Sequence, residues 1–176
     1  MNRSRYGWKN KNMDKPHTIN PFRRMLHRFL MNPFLSPLLA RILHHADGLV
    51  LRLNGGRFTL TSVIAGLPTI VLTTTGAKSG LPRALPIACV PDGERYALIA
   101  TNFGQSHFPS WYHNLKKNTE CIVRVGDKIR TFIARELHGD EYERYWNLAV
   151  DIYAGYAAYK QRISRRIPVM LLEPKQ

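Results

Sequence analysis

Hydrophobic positions follow two different periods along the chain. Between residues 20 and 47 the period is helical. Phe22, Met25, Leu26, Phe29 and Leu30 recur at i, i+3, i+4, i+7 and i+8, with Arg23, Arg24, His27 and Arg28 between them. Asn20-Pro21 supplies a start, a capping residue followed by proline at the first helical position. Asn32-Pro33 ends that helix, Ser36-Pro37 opens a second one carrying Leu38, Leu39, Ile42 and Leu43, and Asp47-Gly48 closes it. Residues 1–19 are basic and polar with no period and read as a disordered leader. From residue 69 the pattern changes to strands. Thr69–Thr75 (TIVLTTT) is rich in β-branched residues and reads as a buried strand. Arg83–Val90 and Tyr96–Ala100 read as a hairpin around Pro91-Asp92-Gly93, with Pro86 marking an edge or bulge. Cys121–Val125 and Lys128–Leu137 form a second hairpin around Gly126-Asp127, and Pro168–Leu172 is a last strand. Trp111–Lys117, Asp140–Tyr153 and Gly155–Ser164 read as helices. Six short antiparallel strands with flanking helices predict an α+β chain, mainly β, folded as a closed or split barrel over residues 48–176.

Composition narrows the class. The chain has 176 residues, 44% of them hydrophobic, and a formal net charge of +14. That length suits one domain with an appendage and buries roughly 70% of the unfolded surface, so no metal or disulfide staple is needed. The apolar fraction excludes a disordered chain. The charge is uneven: residues 1–60 hold 11 Lys/Arg against two acids, and residues 61–176 hold 15 against 10. Such an excess favours RNA, DNA, anionic lipid or a phosphorylated cofactor. The basic N-terminal stretch interleaves only Tyr6 and Trp8, too little for specific nucleic-acid recognition. Two readings stand for the helical segment 20–47: packing on its own domain or a dimer partner, and lying on an anionic membrane. Cys89 and Cys121, in strand-like contexts without CxxC spacing, predict buried reduced thiols and a cytoplasmic protein, which the membrane reading of segment 20–47 would set on the inner face of the cell membrane. No run of about 20 apolar residues is present.

Three segments are candidates for chemistry. Gly76-Ala77-Lys78-Ser79-Gly80 follows a strand, and with Arg83 it offers cations and a hydroxyl to a phosphate or carboxylate. The same residues also suit an ordinary solvated turn. The Walker A and GxGxxG spacings are absent. Trp111-Tyr112-His113-Asn114-Leu115 provides flat apolar surface for a ring system, or simply a core pair at Trp111 and Leu115. Tyr153, Tyr156 and Tyr159 recur every three residues, which on a helix spreads three phenols over about 120° of one side. They read as an aromatic core stripe or as donors to a substrate gaining negative charge. The seven histidines show no metal-ligand spacing, and no GxSxG elbow is present.

VLTTTGAKSGLPRALPI (71–87), PSWYHNLKKN (109–118) and IYAGYAAYKQRISRRIPVMLLEP (152–174) together resemble the deazaflavin-dependent nitroreductase family, whose members use coenzyme F420. The resemblance implies a six-stranded split β-barrel of the FMN-binding type. It implies that Ala77, Lys78, Ser79 and Arg83 meet the phosphate and glutamate tail. Pro86, Ile87 and Ala88, with Ala100 to Phe103 (Asn102 included), would line the deazaflavin, and Trp111, Tyr112 and Asn114 would stand beside the ring. Tyr153, Tyr156 and Tyr159 correspond to substrate-side tyrosines, with Tyr156 also touching the cofactor. The chain departs from the family at Ala77, where arginine is common, at Ala88, where some relatives carry an aromatic, and at Phe103 and Gln105, where small or basic residues are common. The expected activity is hydride transfer from reduced F420 to a quinone, nitro or unsaturated carbonyl acceptor. The alternatives are an FMN-binding barrel oxidoreductase and a non-catalytic barrel holding a cofactor or lipid. A small-molecule acceptor, a homodimer and peripheral membrane contact through residues 20–47 are the expected partners.

Overall fold

The computed structural model describes residues 67–176, so the expected leader (1–19), the helical segment (20–47) and the stretch up to residue 66 lie outside the described residues. The described strands are β1 (Thr69–Thr75), β2 (Pro82–Ala88), β3 (Val90–Asp92), β4 (Arg95–Ile99), β5 (Glu120–Val125), β6 (Lys128–Glu136) and β7 (Val169–Pro174). A 3-10 turn spans Asn102–Gly104, and the helices are α1 (Ser110–Lys117), α2 (Gly139–Ile152) and α3 (Gly155–Arg162).

The strands form one antiparallel sheet in the order β2-β1-β5-β6-β7-β4-β3. Its two terminal strands, β2 and β3, are separated in the chain by Cys89 alone. The sheet therefore curls until the backbone joins its two ends, which makes a barrel. This corrects the predicted hairpin of residues 83–90 with 96–100. Residues 82–88 pair with β1, and the Cys89 N–H still donates to the Pro68 carbonyl at 2.9 Å. Only Val90–Asp92 turn away to pair with β4, Val90 opposite Ala97 and Asp92 opposite Arg95. The run expected as one strand thus serves two partners, so six predicted strands appear as seven segments.

The split follows from the same register. Because Cys89 bonds toward β1, alternation turns the backbone groups of Ala84, Pro86 and Ala88 toward the free edge of β2. The missing N–H of Pro86 falls on that unpaired side, where it removes no ladder bond. Across from this edge lies the end of β4. The Ala100 N–H bonds to the Pro168 carbonyl, so Ile99 directs its backbone away from β7, and β3 covers only the start of β4. Among the described residues the ladder is open between β2 and the end of β4.

Two cores result. Alternate residues such as Ile70, Leu72, Leu98, Val123, Phe132 and Leu172 fill the barrel, and Trp111, Tyr112 and Leu115 of α1 close one end. Outside, Tyr142, Tyr145, Trp146 and Ala149 of α2 and Tyr156 and Tyr159 of α3 form one cluster with Val90, Ala97, Ile99, Val169 and Leu171. β4 and β7 are thus buried on both faces, which explains the unbroken apolar run Val169–Leu172.

Candidate active site

By register, the ends of β1, β4 and β6 and the starts of β2, β5 and β7 share one end of the barrel. Loop 76–81, the segment 100–109 and α1 therefore meet there.

The loop turns tightly because of its glycines. A Cβ on Gly76 would stand 2.6 Å from Ser79 Oγ and 3.2 Å from the Leu81 carbonyl, and Gly80 sits at φ +69°. The Gly76 N–H donates to the Leu81 carbonyl at 2.9 Å, the Gly80 N–H to the Gly76 carbonyl at 2.8 Å, and Ser79 Oγ accepts the Leu81 N–H at 3.3 Å. α1 clasps this loop. Buried Asn114 accepts the Ala77 N–H at 2.8 Å and donates Nδ2 to Thr74 Oγ1 at 2.9 Å. Lys117 Nζ donates to the Ala77 carbonyl at 2.7 Å. Both backbone groups of Ala77 are thus used inside the protein. Lys78 and Arg83 remain exposed, and neither has a carboxylate partner among the described residues.

α1 is itself braced. Tyr112 Oη donates to Glu136 Oε2 at 3.0 Å, and Lys116 Nζ donates to the same oxygen at 3.1 Å. Burial, aided by Glu136, pushes the Tyr112 phenol up to about 12. Burial also pushes Glu136 up, but the bonds from Lys116 and Tyr112 outweigh it and hold the carboxyl below its usual value. Trp111, Tyr112 and Asn114, expected beside the ring, therefore spend their side chains on the barrel interior, on Glu136 and on the loop. On β2, Ile87 packs toward the interior core, whereas Pro86 and Ala88 lie on the opposite face with their backbone at the free edge.

The segment after β4 is strained. Asn102, Phe103 and Gly104 all have positive φ, at 50°, 56° and 77°. Glycine adopts this region freely and asparagine tolerates it, but for other residues it costs about 1–2 kcal/mol. Asn102 Nδ2 donates to Gln105 Oε1 at 3.3 Å and to the His107 carbonyl at 3.2 Å. The Gly104 N–H donates to the Thr101 carbonyl at 3.0 Å. Gly104 rests on Tyr159, where a Cβ would approach Cδ1 to 3.1 Å. Arg165, between α3 and β7, reaches into this segment, and its desolvation lowers the guanidinium from its ordinary value.

The tyrosines differ from the expected helical stripe. Tyr153 is the extended C-cap of α2 (φ −148°, ψ 102°), while Tyr156 and Tyr159 lie on α3. The spread expected of one helix face is replaced by a cluster built across a helix break. Gly155 permits it, because a Cβ there would overlap the Tyr153 ring. Tyr153 meets Tyr156 edge-on at 5.4 Å between centroids and Tyr159 at 6.4 Å. All three are buried. Burial pushes the Tyr156 phenol up, with Cys89 and Tyr153 contributing. Burial and then Tyr153 raise Tyr159 likewise. Both keep their protons throughout the neutral range.

The structure thus gathers Ala77, Asn114 and Thr74 in one clasp, and Tyr153, Tyr156 and Tyr159, with Gly104 against Tyr159, in another group. Thr74, Lys117 and Arg165 were not singled out from the sequence. Their long-range partners lie 40 to 65 residues away, as in Thr74–Asn114 and Ala100–Arg165, and only strand order brings them together.

A family model described as F420H(2)-dependent quinone reductase matches residues 47–174. An F420H(2)-dependent quinone reductase of Mycobacterium tuberculosis (strain ATCC 25618 / H37Rv) is 37% identical over 108 residues, covering 60% of this chain and 72% of that protein. Among solved structures, an F420-H2 dependent reductase, FDR-A, is similar at 44% identity and TM-score 0.57, covering 60% of this chain and 94% of that one. A chain described as a domain-swapped dimer is similar at 37% identity and TM-score 0.58, covering 80% of this chain and 97% of that one.

Proposed function

The chain belongs to the F420H(2)-dependent quinone reductase family, and from that premise we propose that it is an oxidoreductase passing a hydride from reduced coenzyme F420 to a quinone. The observation that carries this reading is the pair of exposed cations, Lys78 and Arg83, without carboxylate partners among the described residues, at the end of the barrel where the free edge of β2 begins.

The residues present fit the cofactor. Lys78 and Arg83, with the Ser79 hydroxyl, would hold the phosphate and carboxylates of its tail through charge-assisted hydrogen bonds. The backbone groups of Ala84, Pro86 and Ala88 at the free edge would meet its flat ring system. Bound reduced deazaflavin supplies the hydride. The chain orients the acceptor and stabilises the charge it gains. Tyr156 is our first choice for that role, with Tyr153 and Tyr159 shaping the pocket. Its raised phenol holds its proton firmly, so it acts as a hydrogen-bond donor to the acceptor oxygen. Ala77, Trp111, Tyr112 and Asn114 contribute by fixing the loop and the barrel end, and Ile87 by packing β2.

Nitro and unsaturated carbonyl acceptors also gain negative charge on oxygen and belong to the same reading. A homodimer is the assembly we propose, prompted by the relative described as a domain-swapped dimer. Among the described residues no helix is long and apolar enough to cross a membrane. Peripheral contact through residues 20–47 is a separate proposal, and vesicle flotation unchanged by their deletion would overturn it.

The deciding experiment titrates the purified protein with F420 and with FMN, then follows oxidation of reduced F420 on adding a soluble quinone. F420 binding with quinone-dependent turnover is expected. Tight FMN binding without F420 binding would overturn the reading. Tyr156→Phe should lower turnover far more than F420 affinity, and equal activity would remove Tyr156 from the mechanism.

A further inference from the structure

Arg165 makes an unusual set of bonds for a half-buried cation. Its Nη2 donates to the carbonyls of Ala100 at 3.2 Å and Thr101 at 2.9 Å, and its Nε to the Gln105 carbonyl at 3.0 Å. The first two precede the left-handed turn and the third follows it. The guanidinium also lies 4.6 Å from the centroid of the Phe108 ring, on the way to α1. One planar fork therefore spans both flanks of Asn102–Gly104. An ammonium on a flexible stem cannot match that geometry.

The turn it grips holds Phe103 at φ 56°, a conformation phenylalanine avoids, and leaves this large apolar residue 55% exposed. Core packing does not explain an apolar ring held in solvent on a strained backbone. The placement of the turn does. It directly follows Ile99 and Thr101 at the open side of the barrel, and its Gly104 rests on Tyr159 of the phenol cluster. Lys78 and Arg83 lie elsewhere, on the loop joining β1 to β2 and at the start of β2.

We propose that Arg165 is a positioning residue that locks the Asn102–Gly104 turn, so that Phe103 presents a flat apolar wall to the planar electron acceptor. The acceptor half of this inference rests on the quinone-reductase reading above. The locking half concerns the free protein alone. Without the clamp the turn relaxes toward negative φ and the ring leaves the opening. A conjugated, planar acceptor matches such a wall by offset stacking, whereas a polyanionic tail does not.

Two measurements test it on the full chain. In the free protein, Arg165→Gln should speed amide exchange at Gly104 and Gln105 about tenfold or more, with Arg165→Lys intermediate and the barrel strands unaffected. In turnover with reduced F420 and a soluble quinone, Phe103→Ala and Arg165→Gln should each raise the quinone KM about tenfold, exceeding any change in kcat or in F420 Kd. The double variant should raise KM no further than Phe103→Ala alone, because Arg165 acts through Phe103. Unchanged exchange in Arg165→Gln, an unchanged KM, or additive effects in the double variant would overturn the proposal. A wild-type protein inert toward reduced F420 would instead overturn the reading beneath the acceptor half, while the exchange data still decide whether Arg165 locks the turn.

Discussion

Loop 76–81 and turn 100–105 stand at the same end of the barrel and are built on opposite principles. The first bends where glycine allows it, at Gly76 and Gly80, and its backbone is tied down by Asn114 and Lys117. What it leaves to solvent is charge, on Lys78 and, just beyond it at the start of β2, Arg83. The second bends at Asn102, which tolerates the left-handed region, and at Phe103, which does not, and is held by Arg165 and by contact with Tyr159. What it leaves to solvent is an aromatic ring. A relaxed loop suits recognition of an anion by long flexible cations. A strained, clamped turn suits exact placement of a rigid surface. The contrast suggests a division of labour, with the anionic cofactor tail on one side and the flat acceptor on the other.

The comparison breaks most readily at Asn114. Asn114→Leu leaves the buried Thr74 hydroxyl and the Ala77 N–H without their partners, and each such loss costs about 1–3 kcal/mol. Denaturant unfolding should show a loss of about 3 kcal/mol, with weaker F420 binding alongside. Replacing both Lys78 and Arg83 by alanine should leave the unfolding midpoint in place. F420 Kd should rise by about ten- to a hundredfold, with the salt dependence of binding flattened, as calorimetric titration at two ionic strengths would show.

A smaller effect separates relaxed from strained backbone. Gly80→Ala forces a Cβ onto φ +69° and should destabilise by about 1 kcal/mol. Phe103→Gly relieves the same kind of strain and should stabilise by up to about 1 kcal/mol in thermal unfolding, while acceptor KM rises. Opposite signs at the two sites are the expectation.

The smallest effect is in pH dependence, through the brace under the first loop. The folded Tyr112 phenol is raised to about 12 from 10.0, so its contribution is complete below pH 10 and is lost as pH rises toward 12. Glu136 is depressed, so its contribution is present above its unfolded value of 4.5 and is lost as pH falls through the folded one. Tyr112→Phe should flatten the alkaline limb of a stability–pH curve, and Glu136→Gln the acid limb.

Much of the fold was legible beforehand. Local period identified the strands at 69–75, 121–125 and 128–137, the three described helices and the Gly126-Asp127 turn, because each depends on neighbours a few residues apart. The partner exchange at Cys89 was not legible. A β-rich run looks the same whether it keeps one partner or changes partners midway, and only closure of the sheet decides this. The candidate site divides similarly. Glycines and cations in 76–83 announced an exposed, positively charged turn through their residue types. The conformation of Phe103 was hidden, since nothing local favours φ 56° and the restraint comes from Arg165, about sixty residues later.

The sequence by itself thus determined the alternating strands, the basic loop and the tyrosine-rich segment, because composition and short-range spacing set propensity and charge. Tertiary structure alone decided which of these side chains are spent on the protein and which face the opening. Asn114 and Tyr112 have chemistry suited to a ligand, yet closure of the barrel directs them to Ala77, Thr74 and Glu136. Phe103 has chemistry suited to a core, yet the turn that carries it, gripped by a guanidinium from the segment between α3 and β7, leaves it exposed. Polar groups bond to whatever the closed sheet places within about 3 Å, and that proximity is a property of the fold.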